Sequence, residues 1–396
     1  MLVLADGSAY EGLSFGAEVD AHGEVVFNTS MIGYQETLTD PSYAGQIVVP
    51  TYPLIGNYGT NEHDVESNKI QVRGFVVREE CVQPNHFLNR QTIHDYLREG
   101  NIPGLHGVDT RSLTRKLRSY GVMMGYLTSE KSAEEALAEL KKLPDYGSID
   151  FVQQVSTATP YPWEPGPDDK DRPHVVVLDC GLKYNILRLL KKQGCRITAV
   201  PCTTSARDIL AMKPDGILLS PGPGDPQLLD YIVATVKGLV GKKPIMGICL
   251  GNQLIGRAFG GKTFKLKFGH RGGNHPVRDL ATGRIHITAQ NHGYAVDPDT
   301  LKDGLEVTHI NLNDGTVEGL RHKELPIFCI QYHSEASPGP LDNTYLFEDF
   351  MKMVKEGRKS PLIPLYKRGK TKRGEFQRGC APLPPTQRGG EKERGT

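Results

Sequence analysis

Cys249 stands in the pentapeptide GICLG, residues 247–251, directly after the apolar run PIM and before the helical pattern NQLIGRAFGG. Where a strand turns abruptly into a helix, one side chain is lifted away from the backbone, and flanking glycines avoid clashes in the tight turn. The helix N-terminus directs free N–H groups and partial positive charge at the sulfur, which favours the thiolate. The pattern predicts a nucleophile, although a buried structural cysteine in a glycine-rich turn would also satisfy it.

A thiolate nucleophile needs a proton shuttle, and the shuttle needs a group that orients it. The segment QYHSE, which contains His333 and Glu335, follows the apolar strand LPIFCI. An H-x-E pair at a strand end points both side chains to the same side, so Glu335 can orient His333 while the other ring nitrogen faces the sulfur. Such a pair alone is usually an ordinary surface pair. Together with the cysteine turn, it predicts a Cys-His-Glu triad.

A rigid turn follows the apolar run DGILL. Its sequence is SPGPGDP, residues 220–226, in which prolines and glycines alternate. Exposed backbone N–H groups in such a turn can bind an oxyanion or a substrate carboxylate without side chains. The chain has neither a G-x-G-x-x-G pattern nor a Walker pattern, so a phosphate-binding interpretation is weak.

Alternating strands and helices are predicted to position these three segments. HVVVLDCG, CRITAVPC, DGILL and KPIMGI read as buried strands, and helical patterns separate them. Near-continuous apolar strands joined by helices predict an α/β fold, a doubly wound and mostly parallel sheet covered on both faces. Ligands bind beyond the C-terminal ends of such strands. The loops after Leu219, Ile248 and Ile330 are therefore expected to meet.

Four parts are predicted along the chain. Residues 1–152 combine short β-like runs with three helical patterns, as in a smaller α+β domain, and contain a polar loop, GYQETLTDPSYAG. A proline-rich linker, residues 153–173, precedes the α/β domain, residues 174–358. Trp163 either docks this linker onto a domain or is partly exposed within it. Residues 359–396 are rich in Lys, Arg, Gly and Pro, which predicts a basic, disordered tail.

Composition excludes several classes of protein. The 396 residues are 38% hydrophobic and 23% charged with a net charge of +1, so no global field favours nucleic acid or a membrane surface. No apolar run approaches the roughly 20 residues of a membrane span. Asp6 interrupts any signal-peptide core, and a cytoplasmic protein is expected.

Metal binding is not expected. The seven cysteines form no C-x-x-C pair, which argues against a zinc ribbon or a redox dithiol. His270, His275 and His292 have no acidic or cysteine ligand beside them at zinc spacing. They are interpreted as residues of glycine-rich loops near the substrate.

In their order and spacing, SPGPGDP, GICLGNQ and QYHSE resemble the class I (triad) glutamine amidotransferase domain. Three further segments are similar to the family of small, glutamine-hydrolysing subunits of carbamoyl phosphate synthase: GYQETLTDPSYAGQIV, KFGHRGGNHPV and ITAQNHGYAV. The resemblance covers roughly residues 1–358. Other glutaminases of the class, such as those for anthranilate or GMP synthesis, lack the N-terminal domain.

The resemblance implies a role for each matching residue. Cys249 would attack the glutamine side-chain amide, His333 would protonate the leaving nitrogen and later activate water, and Glu335 would orient His333. The backbone N–H of Leu250 and the turn at Gly222 and Gly224 would form the oxyanion hole and cradle the substrate. The implied glutamine-binding residues are Ser42, Gly222, Gly224, Leu250, Gln253, Asn291, Gly293 and Tyr294. The family often has Phe at the position of Tyr294, where the contact is largely with the backbone, so little change is expected.

A partner is also implied. Ammonia would pass to a separate large subunit, contacted by residues 1–152, that uses bicarbonate, ATP and a divalent metal. This chain would hold no cofactor and bind no nucleic acid. Whether the product serves arginine biosynthesis, pyrimidine biosynthesis or both is open. Two alternatives remain: another thiol hydrolase of similar fold, and a non-catalytic module that uses the basic tail on RNA.

Overall fold

The computed structural model describes residues 1–359, and its first part is built on a mixed eight-stranded sheet. The strands of this part are β1 (Leu2–Leu4), β2 (Ala9–Tyr10), β3 (Leu13–Gly16), β4 (Ala21–Asn28), β5 (Gln46–Pro50), β6 (Leu54–Ile55), β7 (Gly74–Val76), β8 (Glu79–Glu80), β9 (Pro103–His106) and β10 (Met123–Leu127). The sheet order is β2-β1-β10-β4-β5-β7-β9-β3, and β6 pairs with β8 separately. The run from β4 to β9 is parallel and the remaining pairs are antiparallel.

Five helices accompany these strands: α1 (Tyr34–Thr39), α2 (Ile93–Glu99), α3 (Thr110–Tyr120), α4 (Ala133–Leu140) and α5 (Val152–Val155). The three helices predicted from periodicity, α2 to α4, are confirmed. The interpretation of GYQETLTDPSYAG as a polar loop is wrong for its first half, because α1 buries Tyr34 and Leu38 in the core. The Asp-Pro-Ser turn after it is present, and Asp40 Oδ1 accepts a hydrogen bond from the Ser42 N–H at 2.9 Å.

A ten-stranded sheet organises the rest of the described chain. Its strands are β11 (Tyr161–Pro162), β12 (His174–Asp179), β13 (Arg196–Pro201), β14 (Gly216–Leu219), β15 (Ile245–Ile248), β16 (Thr263–Asp279), β17 (Ile285–Val296), β18 (Leu305–Asn311), β19 (Val317–His322) and β20 (Ile327–Ile330). The order is β11-β13-β12-β14-β15-β20-β19-β18-β16-β17. The helices are α6 (Tyr184–Lys192), α7 (Ala206–Ala211), α8 (Asp230–Leu239), α9 (Leu250–Ala258) and α10 (Tyr345–Lys359).

The centre of this sheet is parallel, from β13 through β12, β14 and β15 to β20. Alternate residues of β12 enter two different apolar cores: Val176 and Leu178 contact one, while Val175 and Val177 contact the other. Because successive strand residues point to opposite faces, both faces of the sheet are covered. The predicted α/β class is therefore confirmed.

Residues 263–322 depart from the strand–helix alternation. They form β16 to β19, an antiparallel extension of the sheet that joins the parallel core through β20. The sequence of β16 contains GHRGGNHP, whose glycines and polar residues do not show the alternation typical of a strand. The strand is long, and register shifts interrupt its pairing with β17. This arm carries residues that complete the site below.

The proline-rich segment is packed rather than free. Tyr161 and Pro162 form the edge strand β11, and the backbone N–H of Trp163 donates to the Ile197 carbonyl at 3.2 Å. The Trp163 ring lies 5.0 Å from the Tyr184 ring, centroid to centroid. An edge position suits a proline, which cannot donate to a neighbouring strand. Of the two interpretations of Trp163, the structure supports docking.

Polar contacts join the part before this segment to the part after it. Arg188 forms an ion pair with Glu66 at 3.0 Å, and Glu66 also accepts from the Ser337 hydroxyl at 2.8 Å. Within residues 1–359, no helix is long and apolar enough to cross a membrane. Of the predicted tail, only Lys359, at which α10 ends, is described; residues 360–396 lie outside the described residues.

Candidate active site

Cys249 occupies the sharp turn that its glycine-flanked sequence predicts. It lies between β15 and α9 with φ of 53° and ψ of −103°, a conformation that non-glycine residues rarely adopt. Its N–H donates to the Ile330 carbonyl at 2.8 Å, which fixes the turn against β20. The thiol is buried, and its Sγ lies 3.6 Å from the carbonyl oxygen of Asn291. The strained backbone of the turn therefore fixes the position of the sulfur.

The two glycines that flank this turn leave no room for a side chain. A Cβ on Gly251 would lie 2.4 Å from the Leu219 carbonyl oxygen, and one on Gly247 would lie 2.6 Å from Ile255 Cδ1. Both contacts are far shorter than a van der Waals separation. The glycines are thus required by the close approach of α9 to β14 and by the packing of α9 onto β15.

We expect Gly251→Ala to destabilise the protein by about 1–3 kcal/mol, because an overpacked core must shift its backbone. Urea unfolding followed by circular dichroism measures the change. Gly166→Ala is the matched control, since its Cβ would meet nothing nearer than 3.5 Å. Equal stability of the two variants would show that the turn tolerates a side chain.

His333 and Glu335 form the predicted pair. His333 Nδ1 lies 2.6 Å from Glu335 Oε1, both side chains are buried, and the His333 N–H donates to the Ala289 carbonyl of β17 at 2.9 Å. His333 Nε2, the second ring nitrogen, is buried without a hydrogen-bond partner. Burial lowers the pKa of His333, but the negative charge of Glu335 and the interaction with Cys249 outweigh it and raise the pKa to about 10. A raised pKa favours the protonated form of the His333 ring.

Lys183 extends the pair and was missed by sequence reasoning. Its buried Nζ lies 3.1 Å from Glu335 Oε1 and donates to the Ala336 carbonyl at 2.5 Å. Burial raises the pKa of Glu335, but Lys183 and His333 outweigh it and lower the pKa to about 2. A lysine in the loop before a helix is common, so the sequence gives no sign that it contacts a carboxylate. Only the fold brings it to the carboxylate.

A cavity of about 360 Å³ opens beside Cys249. Seven of the eight residues predicted to bind substrate line it: Ser42, Gly222, Gly224, Gln253, Asn291, Gly293 and Tyr294. The eighth, Leu250, has its side chain in the apolar core. Leu250 is the first residue of α9, so its backbone N–H has no acceptor within that helix. The structure brings the predicted residues together from both parts of the chain.

Charged and polar residues that the sequence did not single out also line this cavity: Glu24, Gln46, Tyr146 and Arg271. The Ser42 hydroxyl and the Arg271 Nε are buried without a partner. Glu24 is paired with Lys265 at 2.6 Å and accepts from the Gln46 amide at 3.1 Å. Unsatisfied buried polar atoms and charges of both signs suit a small zwitterionic ligand better than an apolar one.

His270, His275 and His292 meet, but they lie on strands rather than in loops as the sequence was interpreted. His270 and His275 are on β16 and His292 is on β17. The ring of His270 lies 5.2 Å from that of His275 and 4.9 Å from that of His292, centroid to centroid. Glu318, from β19, joins His270 and His292. The histidines have no acidic residue beside them at zinc spacing in the sequence, but in the folded chain Glu318 lies beside two of them.

Comparison with known proteins matches both parts of the chain. The family model of the carbamoyl-phosphate synthase small chain, CPSase domain, matches residues 2–127, and that of glutamine amidotransferase class-I matches residues 176–353. The carbamoyl phosphate synthase small chain of Staphylococcus epidermidis is 54% identical over 356 residues, which is 90% of this chain and 96% of that relative. The relative of the same name from Aquifex aeolicus is 50% identical over 364 residues, 89% of this chain and 98% of that relative.

Proposed function

Because this chain belongs to the family of carbamoyl phosphate synthase small chains and serves as the glutamine-hydrolysing subunit, we propose that Cys249, His333 and Glu335 carry out the hydrolysis and that the ammonia passes to a large chain. The observation that carries the proposal is the strained Cys249 turn, which lines the substrate cavity and lies close enough to His333 to raise its pKa. The large chain would then combine ammonia with bicarbonate at the expense of ATP. ATP and a divalent metal belong to that chain in this proposal.

The first step is attack of the Cys249 thiolate on the side-chain carbonyl carbon of glutamine. A C–S bond forms and the carbonyl oxygen takes up the negative charge. His333, protonated at Nε2, gives that proton to the amide nitrogen as the C–N bond breaks, so ammonia leaves and a γ-glutamyl thioester remains. The position of Nε2, buried and without another partner, supports this assignment.

In the hydrolysis of the thioester, the same His333 nitrogen accepts a proton instead of donating one. Neutral His333 takes a proton from water at Nε2, the hydroxide attacks the thioester carbon, and the C–S bond breaks to release glutamate. The thiolate–imidazolium pair is thereby restored. Glu335, fixed by Lys183, holds the His333 ring so that Nδ1 keeps its proton throughout.

The charge on the carbonyl oxygen is assigned to backbone N–H groups at Leu250 and in the turn that contains Gly222. A Cβ on Gly222 would lie 2.2 Å from the Cys180 carbonyl oxygen and 2.7 Å from Leu250 Cδ2. This close packing supports a turn that is held rigidly next to the first residue of α9. Preorganised donors of this kind stabilise an oxyanion without reorganisation during the reaction.

We assign the route of ammonia to two cavities that begin at His333. A second cavity of about 280 Å³ is lined by His333, Lys183 and Asp40, and it shares Asn291 with the substrate cavity. It also shares residues with a third cavity of about 290 Å³, which reaches Met31 and Ile32. Those two apolar side chains are 72% and 69% exposed. We assign this surface to the large chain, because large exposed apolar side chains mark contact sites.

The test is co-expression with a large chain and measurement of carbamoyl phosphate from bicarbonate and ATP, with either glutamine or ammonium as nitrogen donor. The complex is expected to use both donors, and the small chain alone is expected to release glutamate from glutamine without ATP. A complex that works with ammonium but never with glutamine would contradict the proposal.

A further inference from the structure

Three buried side chains outside the triad converge on one point. His270 of β16, His292 of β17 and Glu318 of β19 each offer a ligand atom, and these atoms all lie within 4.8 Å of one another. All three side chains are buried. Two imidazoles and one carboxylate form a donor set that Zn²⁺ commonly takes in proteins. Of the three, His292 also lines the substrate cavity, whereas His270 and Glu318 do not.

The outer nitrogen of each imidazole already has a partner that orients the ring. His292 Nδ1 lies 2.8 Å from the Tyr294 carbonyl oxygen, and His270 Nε2 lies 2.8 Å from Asp314 Oδ2. The inner nitrogens are His292 Nε2 and His270 Nδ1, and His270 Nδ1 lies 3.6 Å from Glu318 Oε1 and 3.4 Å from Asn311 Nδ2. Histidine ligands of metals show this arrangement, one nitrogen on the metal and the other donating to a carboxylate or a carbonyl.

The contacts of His292 and Gln290 are not all satisfied by one set of neutral hydrogen bonds. His292 Nε2 lies 2.6 Å from Gln290 Oε1, so with the proton on Nδ1 two acceptors face each other. With the proton on Nε2, Nδ1 faces the Tyr294 carbonyl instead. Turning the Gln290 amide round places its oxygen 2.9 Å from Glu318 Oε1. Each arrangement in which His292 is neutral and Glu318 carries no proton leaves one repulsive contact.

An added proton or a bound cation would remove that contact. Glu318 points to a cation rather than a proton on His292 alone: Oε1 accepts from the Gln290 and Asn311 amides, while Oε2 is buried without a partner. A divalent cation held by this carboxylate and by His292 would also remove the repulsive contact.

We propose that His270, His292 and Glu318 bind one Zn²⁺ ion, with water or Gln290 Oε1 in the fourth position. The ion would tie together β16, β17 and β19. The Tyr294 carbonyl that orients His292 also accepts from the Gln253 amide at 2.8 Å, so the site adjoins the glutamine cavity. Its role would be structural: to hold the stretch of β17 that carries Asn291, Gly293 and Tyr294.

The test uses the full untagged chain, stripped of metal by a chelator and titrated with Zn²⁺ alone. We expect one zinc per chain by mass spectrometry of the dialysed protein. Glu318→Gln keeps the side-chain size and is expected to weaken binding at least about 100-fold, whereas Asp314→Asn, which removes an orienting partner, should weaken it by about 10–100-fold. Glu306→Gln on β18 is the matched control, and it should bind as the natural chain does.

Co²⁺ gives a second readout that does not depend on activity, because tetrahedral Co²⁺ absorbs visible light strongly. The band is expected for the natural chain and for Glu306→Gln, and not for Glu318→Gln. Should Glu318→Gln fail to fold, His270→Gln serves as the second ligand variant. Zinc binding that is equal in the natural chain and a folded ligand variant, or no binding to the natural chain, would overturn the proposal; an added proton would then have to satisfy the contacts of His292.

Discussion

Cys249→Ser is expected to lower the rate of glutamine hydrolysis by about 10³-fold or more, as removal of a covalent nucleophile does in other triad enzymes. A serine hydroxyl is far less acidic than a thiol and stays neutral beside His333, so no anion is available to attack the amide. The backbone strain at this position belongs to the turn and not to the sulfur, so the fold should be kept. Glutamate release from glutamine measures the rate.

Cys81→Ser is the matched control, because Cys81 is only partly buried and lies in the N-terminal part of the chain. The Cys81→Ser variant should hydrolyse glutamine at the same rate as the natural chain. In complex with a large chain, Cys249→Ser should still support synthesis from ammonium. Full glutamine-dependent synthesis by Cys249→Ser would contradict the assigned nucleophile.

Lys183→Met is expected to destabilise the protein by about 3–5 kcal/mol, because it leaves the buried Glu335 carboxylate with one partner fewer. The pKa of Glu335, lowered to about 2 by Lys183 and His333 against the effect of burial, should rise in this variant. Since a lowered pKa stabilises the fold above the ordinary value of 4.5 and the effect is lost as pH falls toward about 2, the loss should begin at higher pH without Lys183. Urea unfolding between pH 7 and pH 3 measures both effects.

Lys142→Met provides the comparison for Lys183→Met. Lys142, just beyond the C-terminal end of α4, pairs with Glu139 at 2.7 Å on the surface, and such exposed pairs contribute about 0–1 kcal/mol. A second comparison is the double variant Lys183→Met/Glu335→Gln, which removes the unpaired charge and should recover part of the lost stability. If Lys183→Met were as stable as Lys142→Met, Lys183 would have no role in holding Glu335.

Much of the site could be predicted because it depends on short segments. The turn at Cys249, the H-x-E pair and the turn at Gly222 each lie at the end of a buried parallel strand. Strand ends of a parallel sheet meet at one edge, so the three segments converge once the strands are recognised. The periodicity of apolar residues was sufficient for that step.

Residues whose role depends on contacts distant in sequence could not be predicted. Lys183 reaches Glu335 across the sheet edge, Arg271 enters the cavity from an antiparallel arm, and Glu318 meets two histidines from other strands. No pattern in the neighbouring sequence distinguishes these three charged side chains from charged side chains that face solvent. The arm itself was missed because the glycines and polar residues of β16 hide its strand periodicity.

The central claim, covalent catalysis by Cys249, is tested most directly by trapping the intermediate. Glutamine labelled at its side-chain carbonyl carbon is mixed with the enzyme, the reaction is quenched in acid during turnover, and the protein is digested for mass spectrometry. We predict a γ-glutamyl thioester on the peptide that contains Cys249, and no such label in Cys249→Ser. Rapid hydrolysis with no label at Cys249, or a label on another residue, would contradict the account.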